Sequence, residues 1–590
     1  MALTAAQVAE QKKDVEELLG AVDQLGFAKA LFFGKVRGDL VFPYPRLSPD
    51  QEHLATEAAA KVRQFAKDQI DHMRIDREAM IPDSVVRGLA DLGVLGMTAP
   101  REYGGLAFNQ QQYLRIMEIL GGHCSSTAVF VNAHHSIGIR ALLLFGTKEQ
   151  QDRWLPDLVA ARKIAAFALT EPEAGSDAGN VQTTATPDGD DFILNGTKHY
   201  ITNGGIADVL TVMARTPDKD GKSKVTAFLV TPDLPGFEVL EKRAEKCGIR
   251  GTATGKLRFT NMRVPKANVL GPMGKGLKVA LTVLDFGRVT FGASCTGHAK
   301  ACIEAMTKHA KTRKQFQQTL SEFELVKKKI AFASAHAFAM ESATAVCAAG
   351  IDGAHDDYML ETAMLKVFST EHLWTIVNDC IQIFGGKAYF SDQPYERWMR
   401  DARINLIGEG ANDVLKAFIA VVGCRAPGEY LKTLRDDMMG GRWSFRKIGA
   451  ALGVGTQLVI PWASTPSVPV KSAKLDDEVS AFAKQVKKFG LELPHVFLRL
   501  KDETQFVQAQ LIHERIADIA IDLYVSACVL SRLDHLLANP SDDVHANVSA
   551  GRYFLKIANR RMTANFAALT DHDDADCVKV ADIVLDKLKP

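Results

Sequence analysis

Glu409 is the residue whose type and setting best suit proton transfer. It is the one charged residue in the run Asn405-Leu406-Ile407-Gly408-Glu409-Gly410, which is otherwise uncharged and largely apolar. Loss of hydration in such a setting raises the pKa of a carboxyl group toward neutrality, where it can act as a general base on a weakly acidic proton. The alternative interpretation is an acidic residue in the first turn of a helix, stabilised by the helix dipole. The run by itself leaves both interpretations open.

A second segment has the composition of a binding site for a phosphate or the edge of a heterocycle. Within Phe167-Ala168-Leu169-Thr170-Glu171-Pro172-Glu173-Ala174-Gly175-Ser176-Asp177, a glycine and a serine follow a proline-containing turn. Exposed backbone N–H groups and a hydroxyl are the donors that bind such ligands. A turn without a ligand has the same composition, and it is the simpler interpretation of this segment taken alone.

Other clusters of potential ligands lack the arrangement of a metal site. His134 and His135 are adjacent, and neighbouring residues of a helix point about 100° apart. The nine cysteines are scattered without a Cys-x-x-Cys pair, which favours free thiols in a reducing compartment. The glycine and terminal glutamate of a calcium loop are missing from the acidic cluster Asp571, Asp573, Asp574 and Asp576. We therefore expect no bound metal.

Composition excludes several classes of protein. The 590 residues include 71 Lys+Arg and 70 Asp+Glu, a net charge of +1, so there is no overall field to attract nucleic acid. Hydrophobic residues make up 47% and charged residues 24%, which is ordinary for a globular chain. The N-terminus lacks the apolar core of a signal peptide, and no run approaches the roughly 18 uncharged apolar residues of a membrane span. We expect a soluble or surface-bound protein of several domains.

The hydrophobic period changes along the chain and predicts the elements that position these residues. Apolar residues recur at helical spacing between 54 and 161 and between 276 and 426, whereas short β-branched runs separated by turn residues fill 167 to 270. Glycines and prolines interrupt 440 to 470, and a helical pattern returns from 476. The predicted domains are an N-terminal extension (1–50), an α-helical domain (51–164), a β domain (165–272), an α-helical bundle (273–428), a linker (429–475) and a C-terminal α-helical domain (476–590).

The motifs together resemble the acyl-CoA dehydrogenase family over essentially the whole chain. The order and spacing of the segment from Thr170 to Asp177 and of six later segments carry the resemblance: Tyr200-Ile201-Thr202-Asn203-Gly204, Gly248-Ile249-Arg250-Gly251-Thr252, Asp285-Phe286-Gly287-Arg288, Thr312-Arg313-Lys314-Gln315-Phe316, Gln382-Ile383-Phe384-Gly385-Gly386 and Glu409-Gly410-Ala411-Asn412-Asp413. The family fold is an N-terminal α-helical domain, a β-barrel-like middle domain and a four-helix bundle. The resemblance therefore implies an α+β protein with this fold and an extra C-terminal α-helical domain.

The resemblance also implies a reaction. An FAD-dependent acyl-CoA dehydrogenase of fatty acid β-oxidation converts an acyl-CoA to the trans-2-enoyl-CoA, with Glu409 removing the α-proton and flavin N5 accepting the hydride. Electron-transfer flavoprotein then takes the electrons. The alternatives are an acyl-CoA oxidase that uses O2, which has the same base and flavin, and a scaffold or assembly protein that retains the fold.

Residue roles follow from the resemblance position by position. Contacts to FAD bound in the same subunit fall on Phe167, Leu169, Thr170, Ser176, Tyr200, Ile201 and Thr202, with Ala411 and Asp413 also assigned to the cofactor. Contacts to the FAD of a partner subunit fall on Arg313, Gln315, Phe316, Gln382, Gly385 and Gly386. Contacts to the acyl-CoA fall on Ser176, Asp285, Arg288, Glu409 and Gly410. The chain departs from the family pattern at Ala411, Gln317, Ala388, Glu324 and Gly408, which leaves FAD affinity and substrate shape open.

Three features resemble the very-long-chain branch of the family and its complex I assembly paralogue. They are the segments 27–35 and 41–45, the segment 313–323, and the extension beyond about 431. The extension implies a homodimer, and the small residues Gly121 to Ala128 at the expected cavity floor favour long acyl chains. Arg442 to Ile448, with Trp462, combine basic and bulky apolar residues, which suits either a membrane surface or a linker packed on its own domain. We expect a cytoplasmic protein, peripheral at the inner membrane, or a mitochondrial one in a eukaryote.

Overall fold

The computed structural model describes residues 25–217, 223–353, 355, 357–439, 465–500, 503–540 and 542–588. Helices account for most of these residues. In chain order they are α1 Phe27–Leu31, α2 Pro49–Gln69, α3 His72–Glu78, α4 Asp83–Asp91, α5 Gln110–His123, α6 Ser125–Val131, a π-helical segment Asn132–Ile139, α7 Arg140–Phe145, α8 Lys148–Val159, α9 Gly276–Thr312, α10 Glu324–Asp352, α11 Met359–Phe384, α12 Tyr395–Arg403, α13 Asn412–Met439, α14 Asp476–Arg499, α15 Glu503–Gln508, α16 Gln510–Ala538, α17 Val544–Ala568 and α18 Asp574–Lys587.

Local sequence explains where several helices begin. Ser48 caps α2 and exchanges hydrogen bonds with Gln51, and Pro49 occupies the first helical position, where a missing N–H costs nothing. The same reciprocal capping pattern starts α5 at Asn109 and α8 at Thr147. Each cap satisfies backbone N–H groups that a helix start would otherwise leave without partners.

Strands fill the interval between α8 and α9. They are β1 Ala165–Ala168, β2 Thr184–Asp188, β3 Asp191–Ile201, β4 Val209–Pro217, β5 Ser223–Val230, β6 Phe237–Glu241, β7 Gly255–Pro265 and β8 Val269–Leu270, followed later by a small hairpin, β9 Lys314–Gln315 and β10 Gln318–Thr319. The main sheet has the order β6-β7-β3-β2-β4-β5-β8, and β1 joins it by parallel pairing with β4. It is a mixed sheet of eight strands.

Both faces of the sheet are buried, and each contributes to a separate apolar core. On one side, Met213 of β4 packs in a cluster with Trp154 of α8 and Val283 of α9. On the other side, the rings of Phe192 and Phe228 meet edge to face with centroids 5.2 Å apart. All four residues of β1 are buried, as expected for a strand covered on two faces.

Small residues bring α5 and α9 close together. A Cβ atom on Gly121 would lie 2.5 Å from the Ser294 Cα atom, and one on Gly297 would overlap the Glu118 carbonyl. Because no larger side chain fits, these glycines fix the spacing of the two helices.

The described residues divide into two compact units. The second unit consists of Val22–Pro45, His355–Val367 and Asn412–Pro590, and the first contains Arg46–Ala354 and Phe368–Ala411. Within the second unit, the rings of Phe32 and Phe489 lie 5.1 Å apart. Glu361 there accepts a hydrogen bond from the Ala28 N–H at 2.8 Å, and burial raises the pKa of this carboxyl group to about 7.

The predicted α+β class and order of elements are confirmed: helices, a sheet, more helices and an additional helical region. Two described helical stretches, Ser125–Phe145 and Glu324–Asp352, are long and apolar enough to cross a membrane by composition, but 67% of the apolar 18-residue stretch in each is buried. Such burial is typical of core helices. The predicted membrane-surface segment, Arg442 to Ile448 with Trp462, lies outside the described residues.

Candidate active site

Glu409 lies in the short connection between α12 and α13, against the middle of α9. A Cβ atom added to Gly287 of α9 would lie 2.7 Å from the Glu409 carboxyl carbon. The absence of a side chain at residue 287 therefore provides the space that the carboxylate occupies.

Asn132 determines the direction of that carboxylate. Its side-chain Nδ2 donates a hydrogen bond of 2.7 Å to Glu409 Oε1, which is the length of a charge-assisted bond. Asn132 is 4% exposed and begins the π-helical segment. Such segments occur often at functional sites because the added residue turns side chains out of the regular helical positions.

The backbone at Glu409 is unusual for a residue with a side chain. Its φ is 55°, and Gly410 follows with φ of 99°. A left-handed conformation costs a non-glycine residue about 1–2 kcal/mol. Strain of this size persists only where surrounding contacts enforce it, and it is concentrated at active sites.

The predicted CoA contacts Asp285 and Arg288 lie next to Glu409. Arg288 Nη1 pairs with Asp285 Oδ1 at 2.9 Å, and both side chains are 6% exposed. Arg288 Nε also points to the Glu409 carbonyl oxygen at 3.4 Å. In the structure, this pair is a buried ion pair that also supports the backbone of the candidate base.

A cavity runs beside these residues. It has about 360 Å³ of empty volume, partly open to solvent, and is lined by Gly121, Ser125, Ala128, Val129, Asn132, Thr290, Phe291, Ser294, His298, Leu373 and Asn405. The lining includes three of the small residues at 121–128 that the sequence places at a cavity floor. Asn132 both lines the cavity and binds Glu409, so a single residue separates the cavity from the carboxylate.

Most of the residues predicted to contact FAD within one subunit lie where β1 ends and β3 ends. The His199 N–H donates a 2.9 Å hydrogen bond to the Thr170 carbonyl, so the two segments are adjacent. Tyr200 has φ of 59° at a register shift between β3 and β7, and such bulges redirect side chains. Its ring stacks on His199 at 3.8 Å.

A buried ion pair holds this part of the chain. Lys198 Nζ lies 2.7 Å from Glu171 Oε1 and donates to the Leu169 carbonyl at 2.9 Å. Glu171 also accepts bonds from the Thr183 N–H and hydroxyl. Burial lowers the pKa of Lys198 to about 8. The pair therefore fixes the turn that carries Leu169 and Thr170.

Several of these residues are accessible to a ligand, as a cofactor site requires. Tyr200 is 64% exposed, Thr170 and Thr202 are half-buried, and a Cβ atom on Gly175 would meet nothing within 4 Å. Asn203 Nδ2 donates to the Phe130 carbonyl at 3.1 Å, two residues before Asn132. This bond joins the predicted FAD-contact region to the helical segment that contacts the Glu409 carboxylate.

The residues assigned to a partner subunit's FAD form a second, exposed group. Phe316 is 88% exposed, and Arg313 and Gln315 beside it are exposed as well. Gln382, Gly385 and Gly386 are also exposed and follow the same surface at the end of α11. The ring of His309 stacks on Phe384 at 4.2 Å, which joins the ends of α9 and α11 and brings the two segments together.

Three other predicted residues differ in their exposure. Ser176 and Asp413 are exposed, and Ala411 is half-buried.

His134 and His135 make hydrogen-bond contacts within the protein. His134 Nδ1 accepts a hydrogen bond from the Ala165 N–H at 3.0 Å, and His135 Nε2 lies 3.1 Å from the Thr98 hydroxyl.

Sequence reasoning missed Asn132, Gly287 and His298 as site residues. Asn132 interrupts the apolar run Val129-Phe130-Val131, and a lone amide in such a run was the available signal. His298 offered a similar signal within α9, but nothing in the sequence connects either residue to Glu409, which is more than a hundred positions away.

Family models for the acyl-CoA dehydrogenases match most of the chain. The N-terminal, middle and C-terminal domain models match residues 50–162, 166–262 and 274–423. A further model, described as the ACAD9/ACADV C-terminal domain, matches residues 473–588.

Similar proteins agree with these models. The mitochondrial very long-chain specific acyl-CoA dehydrogenase of Homo sapiens is 34% identical over 553 residues, covering 90% of this chain and 84% of its own. The probable acyl-CoA dehydrogenase FadE10 of Mycobacterium tuberculosis is 33% identical over 589 residues, which cover 96% of this chain and 89% of FadE10. The structure of an acyl-CoA dehydrogenase from Bacillus anthracis, complexed with FAD, has a TM-score of 0.76 and 25% identity, with 97% of this chain and 95% of that chain covered. The chain belongs to the acyl-CoA dehydrogenase family of oxidoreductases.

Proposed function

We propose that this chain is an FAD-dependent acyl-CoA dehydrogenase that converts long acyl-CoA thioesters to trans-2-enoyl-CoA in fatty acid β-oxidation, with Glu409 as the base. One observation carries the proposal. Asn132, which donates a hydrogen bond to the Glu409 carboxylate, also lines the cavity to which we assign the acyl group.

The chemistry requires a base and a polarised carbonyl. A hydrogen beside a thioester carbonyl is weakly acidic, so its removal needs a nearby carboxylate and donors for the carbonyl oxygen. Glu409 supplies the carboxylate, and its backbone N–H is the donor that the family resemblance assigns to that oxygen. FAD, when bound, supplies the acceptor for the hydride that leaves the β-carbon. Asn132 and the space at Gly287 keep the carboxylate in one orientation.

Anaerobic mixing with acyl-CoA tests this assignment. Purified protein with bound FAD should lose flavin absorbance, and Glu409→Gln should slow that loss by about 10² to 10⁴-fold. Glu304→Gln makes the same chemical change at an exposed residue of α9 and should react at the normal rate. Absence of flavin after FAD-supplemented expression, or fast flavin reduction in Glu409→Gln, would contradict the proposal.

The electron acceptor in this proposal is electron-transfer flavoprotein. Reoxidation of the reduced enzyme should be faster with that protein than in air. Rapid peroxide formation in air would instead identify an acyl-CoA oxidase. A stable respiratory-chain partner without any acyl-CoA turnover would indicate an assembly protein.

We also propose a homodimer and contact with membranes. The exposed group around Phe316 and Gly385 is the surface expected to meet a partner subunit's FAD. Removal of residues 442–461 should release the protein from anionic vesicles while turnover of short, soluble acyl-CoAs continues. Equal vesicle binding by the shortened protein would refute the membrane role of that segment.

A further inference from the structure

The cavity follows one face of α9 away from the base. Thr290, Ser294 and His298 are spaced by four residues, so their side chains lie along one face of the helix. Gly287, which makes room for Glu409, lies one turn before Thr290. At a rise of about 1.5 Å per residue, His298 is about 16 Å along α9 from Gly287. The opposite wall runs the same way, from Asn132 back to Ser125.

The lining of this cavity is unusually polar for a channel that would hold an alkyl chain. Six of its eleven lining residues have polar side chains: Ser125, Asn132, Thr290, Ser294, His298 and Asn405. Asn132 is accounted for by its bond to Glu409, and Thr290 donates to the Phe286 carbonyl. The distal part of the cavity, around Ser125, Ser294 and His298, is also polar, and within the described part of the chain no comparable hydrogen bond accounts for these side chains. Covering polar groups with a hydrocarbon chain costs free energy.

His298 is the clearest of these distal groups. It is 3% exposed, and its Nε2 atom has no hydrogen-bond partner among the described residues. Its ring meets Trp398 edge to face, with centroids 5.5 Å apart. Burial, reinforced by the nearby Arg397, lowers the pKa of His298 to about 3. The imidazole is therefore neutral at physiological pH and can both donate and accept a hydrogen bond.

We propose that the acyl group carries an oxygen, as a hydroxyl or a keto group, in its distal part, and that His298 binds this oxygen. The inference rests on the proposed function and specifies its substrate class. A buried imidazole nitrogen that lines a cavity needs a partner from whatever fills the cavity. A neutral oxygen supplies that partner, whereas a terminal methyl group leaves the nitrogen unsatisfied. The smaller hydroxyls of Ser125 and Ser294 line the same region.

Matched substrates test the proposal. Initial rates of flavin reduction would be measured for unsubstituted acyl-CoAs and for hydroxyacyl-CoAs of equal length, with the hydroxyl moved stepwise along the distal half of the chain. For at least one position, wild-type kcat/KM should exceed that of the unsubstituted chain by about tenfold, the effect of one hydrogen bond. His298→Leu should remove or reverse that preference, and His298→Gln, which retains a donor and an acceptor, should keep part of it.

Several outcomes separate this inference from the proposed function. If wild-type protein reduces its flavin with unsubstituted chains at least as efficiently as with every hydroxylated one, the inference is wrong and the proposed function stands. Equal effects of His298→Leu on both substrate classes would also overturn it, because a structural role predicts that result. If no acyl-CoA reduces the flavin, the proposed function itself fails. Bound FAD and thermal unfolding, measured for both variants, show whether they are folded.

Discussion

Asn132 provides the sharpest test of the candidate site, because it contacts Glu409 without being able to transfer a proton. Its amide donates to Glu409 Oε1 at 2.7 Å, and the residue is 4% exposed, so solvent screens the bond little. A hydrogen bond to a charged group contributes about 1.5–3 kcal/mol. Because the bond also holds the carboxylate in one orientation, its loss should misplace the base, and Asn132→Ala should slow flavin reduction by about 10- to 100-fold.

The pH dependence of the rate tests the role of Asn132 independently. A donor to a carboxylate stabilises its charged form, so loss of the donor raises the pKa of the acceptor. Since one unit of pKa corresponds to about 1.4 kcal/mol, the acidic limb of the rate profile should shift upward by about one to two pH units. Stopped-flow absorbance of the flavin, recorded anaerobically across pH, measures both effects.

Asn405→Ala is the matched control for Asn132. Asn405 is an amide that lines the same cavity, and its contact among the described residues is with the Cys295 sulfur at 3.9 Å. Its removal should leave the acidic limb in place. Identical pH profiles for Asn132→Ala and Asn405→Ala would refute the role assigned to the Asn132–Glu409 bond.

Three further predictions concern the supports of the site. Gly287→Ala should displace the Glu409 carboxylate and slow flavin reduction by about 10²-fold. The free energy of unfolding, measured with denaturant, should change by less than about 1 kcal/mol because alanine favours a helix. A fully active variant would show that the carboxylate is not confined by the space at residue 287. Lys198→Met should lower the free energy of unfolding, measured with denaturant, by about 3–5 kcal/mol, because Glu171 is left as a buried charge without its partner. Adding Glu171→Gln should restore part of that stability. Additive losses in the double variant would contradict the pairing. Phe316 is 88% exposed, and Phe316→Glu should weaken the proposed dimer, measured by sedimentation, and lower FAD retention, measured by absorbance. A monomeric wild-type protein would refute the assignment of this surface to a dimer interface.

The sequence was sufficient for the order of elements, and it singled out Glu409 as a candidate base, for identifiable reasons. Helical and strand periods are local, so α5 and β3 follow from their own residues. The apolar run around Glu409 marks a carboxylate that is unusual for its setting. The partners of Glu409 could not be predicted in the same way, because Asn132 and Gly287 reach it only through tertiary packing of the π-helical segment and α9. A single glycine within a helix has many explanations until its neighbour is known.

The backbone at Glu409 shows why the site needs those distant partners. A glutamate with φ of 55° is strained, and Gly410 beside it allows the chain to turn but cannot hold the glutamate in place. The required constraints come from outside the connection: Asn132 fixes the carboxylate, and Arg288 approaches the Glu409 carbonyl from α9. If the connection relaxed, the carboxylate would lose its contact with Asn132. The strain therefore persists because the contacts that oppose relaxation are the same ones that orient the carboxylate of the proposed base.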